Sequence, residues 1–110
     1  MSKDLTANLE ALLTAGNDSP TLRLALATRY LDADAPAQAA KHAAAAIAQD
    51  ESYSAAWKIL GRAQAAAGDA DTARRSFERG IEIAERRGDR QAAKEMRVFL
   101  KRLGAPRPPS

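Results

Sequence analysis

The sequence predicts an all-α protein of about six helices, and three observations carry that prediction. Much of the 45% hydrophobic content of the 110 residues is alanine, the best helix former. Strand-favouring residues are scarce, and aromatics make up only 5%. Cap and turn residues divide the chain into segments of helical length. An interior of such small side chains does not build a thick globular core. It suits helices whose backbones approach closely.

The elements follow in order. Leu5, Leu9, Leu12 and Leu13 form a stripe at helical spacing, which places a first helix over about 3–15, stopped by Gly16-Asn17. Ser19-Pro20 supplies an N-cap followed by proline at the first helical position, where its missing N–H is harmless. The second helix runs to about Ala33. Asp34 and Pro36 start a third by the same logic, ending near Gln49. Asp50-Glu51-Ser52 breaks the chain again, with Ser52 as N-cap of a fourth helix that stops at Gly68. Asp69 caps the fifth, which carries Asp71 in its first turn and ends at Gly88. Asp89 opens the sixth, closed by Gly104 and Pro106. Loops this short make consecutive helices antiparallel neighbours.

Composition narrows the function classes. With no cysteine, disulfides and thiolate metal sites are excluded. MSKDLTANLEALL lacks the basic-then-apolar order of a secretory signal, and no apolar run approaches the ~20 residues that cross a bilayer. A soluble cytoplasmic protein is expected. The net charge of +3 is unevenly placed: residues 1–55 carry four Lys/Arg against seven Asp/Glu, residues 56–110 thirteen against seven. Such asymmetry marks an anionic partner or simply solvated helix faces.

Catalysis is not expected. The single histidine, His42, has no carboxylate near it in sequence and reads as solvated or edge-packed. No phosphate loop, nucleophile elbow or zinc-protease pattern occurs, and no cofactor or metal is implied. Glu78 and Glu82 are interleaved with Arg74, Arg75, Arg79 and Arg86, as on a solvated, salt-bridged face.

A shift of 34 residues brings the chain onto itself. Leu26 falls on Leu60, Ala27 on Gly61, Ala39 on Ala73, Ala46 on Gly80, and the turn at Asp34 on Gly68. In the second unit Gly61, Ala73 and Gly80 lie among the large Trp57, Leu60 and Phe77. Antiparallel helices nest where one offers a small residue to the other's bulky one. Gly61 is expected to be such a notch, its cost of about 1 kcal/mol in helix propensity offset by closer approach.

These residues resemble the tetratricopeptide repeat. Counted from Ser54, the family pattern meets Trp57, Leu60, Gly61, Ala73, Phe77 and the small Gly80, with departures at Gln64 and Glu85. Counted from Pro20, it meets Leu26, Ala27, Tyr30, Ala39 and Ala46, with departures at Arg23, Ala43 and Glu51. The resemblance covers residues 20–87 and implies a short right-handed solenoid of antiparallel helix pairs, its concave face lined by the first helix of each pair. The resulting division is an N-terminal capping helix (1–18), a degenerate repeat (19–53), a repeat (54–88), a C-terminal capping helix (89–104) and a disordered tail (105–110). Leu5, Leu9 and Leu12 would cover one apolar end. Ala92, Ala93, Met96, Phe99, Leu100 and Leu103 would cover the other.

The resemblance also implies a site. The inward positions fall on Thr21, Leu24, Thr28, Leu31 and Asp32, and on Ala55, Lys58, Arg62, Ala65 and Ala66. Lys58 and Arg62, four residues apart, share a helix side and could hold an acidic peptide or terminal carboxylate. Some family members use a clamp of lysine, asparagine and arginine. Leu24 and Thr28 stand at its Lys and Asn positions, so that clamp is not reproduced here. The expected function is a non-enzymatic module that holds a peptide or helix of another protein, as adaptor, co-chaperone or assembly factor. The alternative is nucleic-acid or anionic-surface binding through the stripe Arg90, Lys94, Arg97 and Lys101, with few aromatics to stack bases. Self-association through the ends is a third reading. Pro106-Arg107-Pro108-Pro109 has the form of a polyproline ligand but reads as a frayed end.

Overall fold

Helix boundaries are set by local chemistry, and all six expected helices are present. The structure, a computed structural model, describes residues 2–104, with side chains from residue 5. The helices are α1 (Ser2–Thr14), α2 (Pro20–Asp32), α3 (Pro36–Gln49), α4 (Ser54–Ala66), α5 (Ala70–Arg87) and α6 (Arg90–Arg102), with no strand among the described residues. The proline-rich tail lies outside them.

Ser19 caps α2 by accepting the Leu22 N–H at 3.1 Å, and Asp69 and Asp89 do the same for Thr72 and Ala92 at 3.2 and 3.1 Å. Two expected caps take other roles. Asp34 does not cap α3; it closes α2 in the left-handed conformation, at φ 59°, where Gly68 stands one repeat later at φ 86°. The Ala35 N–H reaches back to the Tyr30 carbonyl at 2.8 Å, as the Asp69 N–H reaches Gln64 at 2.9 Å. Aspartate tolerates this conformation better than most residues, and so the same turn is made twice with different residues. Ser52 does not cap α4 either. Its N–H and hydroxyl both turn back to Asp50 Oδ1, at 3.1 and 2.7 Å, and Tyr53 occupies the cap position without a side-chain bond.

Layering follows from which helices touch. α2 lies against α3, α3 against α4, α4 against α5 and α5 against α6. In addition α2 neighbours α4 and α4 neighbours α6, while the backbones of α3 and α5 stay apart. The first helices of the pairs therefore form a contiguous inner row and the second helices splay outward. That is the geometry of a short curved solenoid, and the molecule measures 45 × 31 × 23 Å. The backbone of α1 neighbours only α2. Leu9 and Leu13 of α1 are half-buried, but Leu5 and Leu12 remain 46% and 48% exposed, so only part of the leucine stripe covers apolar surface.

The core obeys the repeat. All eight residues related by the shift of 34 (Leu26/Leu60, Ala27/Gly61, Ala39/Ala73 and Ala46/Gly80) are buried. Phe77 is 1% exposed. A Cβ added at Gly61 would lie 2.5–2.7 Å from the Phe77 ring, and one at Gly80 would lie 2.5 Å from Met96 Sδ and 2.7 Å from Trp57 Cβ. The glycine beside the tryptophan is thus an opening sized for an aromatic ring on the facing helix. Trp57 itself is half-buried and touches both core clusters, one from α2 to α4 and one from α5 to α6. Its indole N–H donates to the Glu51 carbonyl at 2.9 Å.

Candidate functional site

The row α2–α4–α6 includes the helices that carry the positions expected to face inward. Leu24, Thr28 and Leu31 of α2 are half-buried, and Thr21 and Asp32 are exposed. The Thr28 hydroxyl donates to the Leu24 carbonyl at 2.9 Å, a local bond within α2. On α4, Ala55, Lys58, Arg62 and Ala65 are half-buried and Ala66 is exposed.

The two expected cations do not act alike. Lys58 Nζ donates to Glu95 Oε1 of α6 at 2.8 Å, and that bond is the leading reason the Glu95 carboxyl is held below its usual range. Arg62 has no carboxylate partner among the described residues. Its Cζ lies 5.0 Å from the centroid of the Phe99 ring, while Arg102 lies 5.5 Å from the same centroid. Phe99 in turn stacks on Phe77 with centroids 5.8 Å apart and ring planes 9° apart. Together with Ala65 and Leu103 these residues line a 170 Å³ recess at the C-terminal ends of α4 and α6. Sequence reading missed Phe99, Arg102 and Glu95 as site residues because it read α6 as an apolar cover with a basic outer stripe.

The stripe Arg90, Lys94, Arg97 and Lys101 is exposed along its whole length. Arg97 pairs with Glu85 of α5; the other three make no ion pair among the described residues. On α5, Glu82 meets Arg79 at 3.3 Å and Arg86 at 3.9 Å, while Arg74 pairs with Asp71 at 3.1 Å rather than with Glu78.

His42 departs most from expectation. It is 6% exposed and carries a network drawn from four segments. Arg23 Nη1 donates to His42 Nδ1 at 3.1 Å, Glu10 Oε1 of α1 lies 3.3 Å from Nε2, and the Tyr30 ring stacks on the imidazole at 5.5 Å, 4° from parallel. Arg23 is held by both Asp18 oxygens at 2.9 Å, and Gln49 donates to Asp18 at 2.8 Å. Because a guanidinium only donates, Nδ1 must accept, which puts the proton of the neutral ring on Nε2, facing Glu10. The Glu10 oxygen there is shielded from solvent and makes no hydrogen bond of ordinary geometry, so it is the weakest link of the network.

The shift of 34 explains the placement. Tyr30 and His42 fall on Gln64 and Ser76, and Ser76 Oγ donates to Gln64 Oε1 at 2.6 Å. One pair of repeat positions makes a ring stack in the first unit and a hydrogen bond in the second. Arg23 likewise occupies the slot of Trp57. The register, applied to polar positions as well as apolar ones, would have found this pair. Glu10 sits 32 residues away on a helix outside the repeat, and nothing in the sequence pointed to it. A second cleft, of 580 Å³, opens between α1 and α2 and is lined by Glu10, Tyr30 and Asp32 among others. Asp32 thus turns to this end rather than to the middle of the row.

The network makes stability pH-dependent. Burial, ahead of the nearby charges, pushes His42 below its ordinary 6.5. Between the lowered folded value and 6.5, the unfolded chain binds more protons, so stability falls with falling pH there. The chain has one histidine and no cysteine. Urea unfolding at about pH 7.5 and 5.5 should show lower stability at the acid value, and the slope should shrink in His42→Gln. A slope of opposite sign would refute the buried neutral ring.

No three His, Asp or Glu side chains converge to hold a metal among the described residues, and no helix there is long and apolar enough to cross a membrane. No family model matches the chain. It is, however, 47% identical over 95 residues to the TPR repeat-containing protein PA0015 of Pseudomonas aeruginosa, covering 86% of this chain and 90% of that one. The chain belongs to the tetratricopeptide-repeat family. Among solved structures, this repeat protein resembles the solution structure of protein BPP2914 from Bordetella parapertussis, with a TM-score of 0.79 and 42% identity. The match covers 89% of this chain and 85% of the other. The helix pairs α2–α3 and α4–α5 are the two stretches that the shift of 34 residues brings into register.

Proposed function

We propose that this chain is a non-enzymatic, cytoplasmic interaction module whose inner row, α2–α4–α6, receives a peptide or helix of another protein, as an adaptor, co-chaperone or assembly factor. The observation that carries the reading is the contiguity of the three first helices. They leave half-buried Leu24, Thr28, Leu31, Arg62 and Ala65 along one continuous face, and membership of a scaffold family supports it. Fold alone would not suffice, since one scaffold serves many partners.

The two end helices serve that role by closing the stack. With α6 aligned on α4 by its first residue, Arg97 stands where Gly61 stands, and a charged arginine there gives a further helix no notch. The test is capture of partners by intact protein beside Thr28→Glu/Arg62→Glu, with unchanged helicity as control. The reading expects a saturable partner lost in the variant. Equal capture by both would contradict it. The exposed Arg90, Lys94 and Lys101 favour the alternative of nucleic-acid binding. That alternative requires affinity which falls steeply with salt and vanishes when these three are neutralised.

A further inference from the structure

The recess at the ends of α4 and α6 combines three features that the fold does not require of each other. Its walls are apolar: Phe77, Phe99, Ala65 and Leu103. Two guanidiniums, Arg62 and Arg102, lie over the Phe99 ring, 5.0 and 5.5 Å from its centroid, and both border the recess. Neither has a carboxylate partner among the described residues, although Arg23, Lys58, Arg74, Arg79, Arg86 and Arg97 all have one. A third cation, Arg74, reaches the Gly104 carbonyl at 3.2 Å close by.

Like charges gathered on an aromatic ring repel one another, and the ring quadrupole compensates only in part. An anion in the recess that both guanidiniums line relieves that repulsion and accepts charge-assisted hydrogen bonds. The adjoining apolar recess, 170 Å³ and open to solvent, has room for a side chain. We infer that this recess binds a carboxylate carried beside an apolar side chain, as in an acidic-hydrophobic peptide segment, with Arg62 and Arg102 holding the carboxylate and the Phe77–Phe99 wall taking the side chain. The inference rests on the inner-row reading and gives it an anchor point. Only Arg62 and Ala65 belong to the inward positions of the repeat; Phe99, Arg102 and Leu103 come from α6.

The probe is N-acetylphenylalanine, titrated into the ¹⁵N-labelled full chain while the arginine Nε–H signals are followed. Saturable shifts at Arg62 and Arg102 with half-saturation near about 1 mM are expected, the scale for a ligand of this size. N-acetylphenylalanine amide should bind about tenfold more weakly or not at all, as should the free acid with Arg62→Gln or the exposed Arg102→Gln. N-acetyl-aspartyl-phenylalanine amide separates the sources: shifts with it assign a side-chain carboxylate, and shifts with the free acid alone assign a chain terminus. Equal binding of acid and amide, shifts confined to other residues, or tighter binding of adenosine monophosphate at Phe99 would each overturn the inference. Partner capture that survives Arg62→Gln/Arg102→Gln but is lost in Thr28→Glu would remove the recess and leave the inner row standing. Probe binding without any captured partner would do the reverse.

Discussion

Phe77→Ala lowers the free energy of unfolding by about 3–5 kcal/mol, the cost of emptying a buried aromatic site. The ring is 1% exposed, fills the opening left by Gly61 and stacks on Phe99. It therefore ties α5 both to α4 and to α6. A domain of this length has a total stability of roughly 5–15 kcal/mol, so the variant should be marginal yet measurable by urea unfolding. A loss under about 1 kcal/mol would show that the hairpins do not depend on this contact.

Gly61→Ala and Gly80→Ala should each destabilise by about 1–3 kcal/mol, although alanine is the better helix former by about 1 kcal/mol. The sign is decided by space. At Gly61 the new methyl meets a buried ring 2.5–2.7 Å away, which cannot turn aside without displacing its stack on Phe99. At Gly80 the nearer obstacle, Met96 Sδ at 2.5 Å, is flexible, but Trp57 Cβ at 2.7 Å is fixed to the α4 backbone. By contrast, the turn glycines Gly16, Gly68 and Gly88 have nothing within 4 Å, and their role is the positive φ alone. Thermal melts of the two helical variants check the sign.

The apolar register was legible because it is local and repeats. The spacing of 34 by itself matches Leu26, Ala27, Ala39 and Ala46 to their counterparts, and every pair is buried. What was not legible involves partners outside the 34-residue register. α5 has 18 residues where α3 has 14, and so α6 does not continue the count and Lys58–Glu95 or Arg62–Phe99 could not be anticipated. The His42 network fails for a related reason. Its carboxylate comes from α1, and Asp18 from a loop whose geometry follows from Ser19 capping α2. A lone histidine in an alanine-rich helix gives no sign of being buried. Here Arg23 donates to it from α2 and Glu10 lies against it from α1. Nor did the stripe of leucines on α1 reveal which two, Leu5 and Leu12, stay exposed: one stripe serves both sides of a helix with a single neighbour.

Nesting at small-residue notches is tested most directly by making Gly61→Ala twice, in the native chain and in Phe77→Ala, and measuring unfolding in urea. With Phe77 present the substitution should cost about 1–3 kcal/mol; with the ring gone it should instead stabilise by up to about 1 kcal/mol, because only helix propensity remains. The same cost in both backgrounds would mean that Gly61 does not face Phe77, and the curved row of helices built on that contact would not stand.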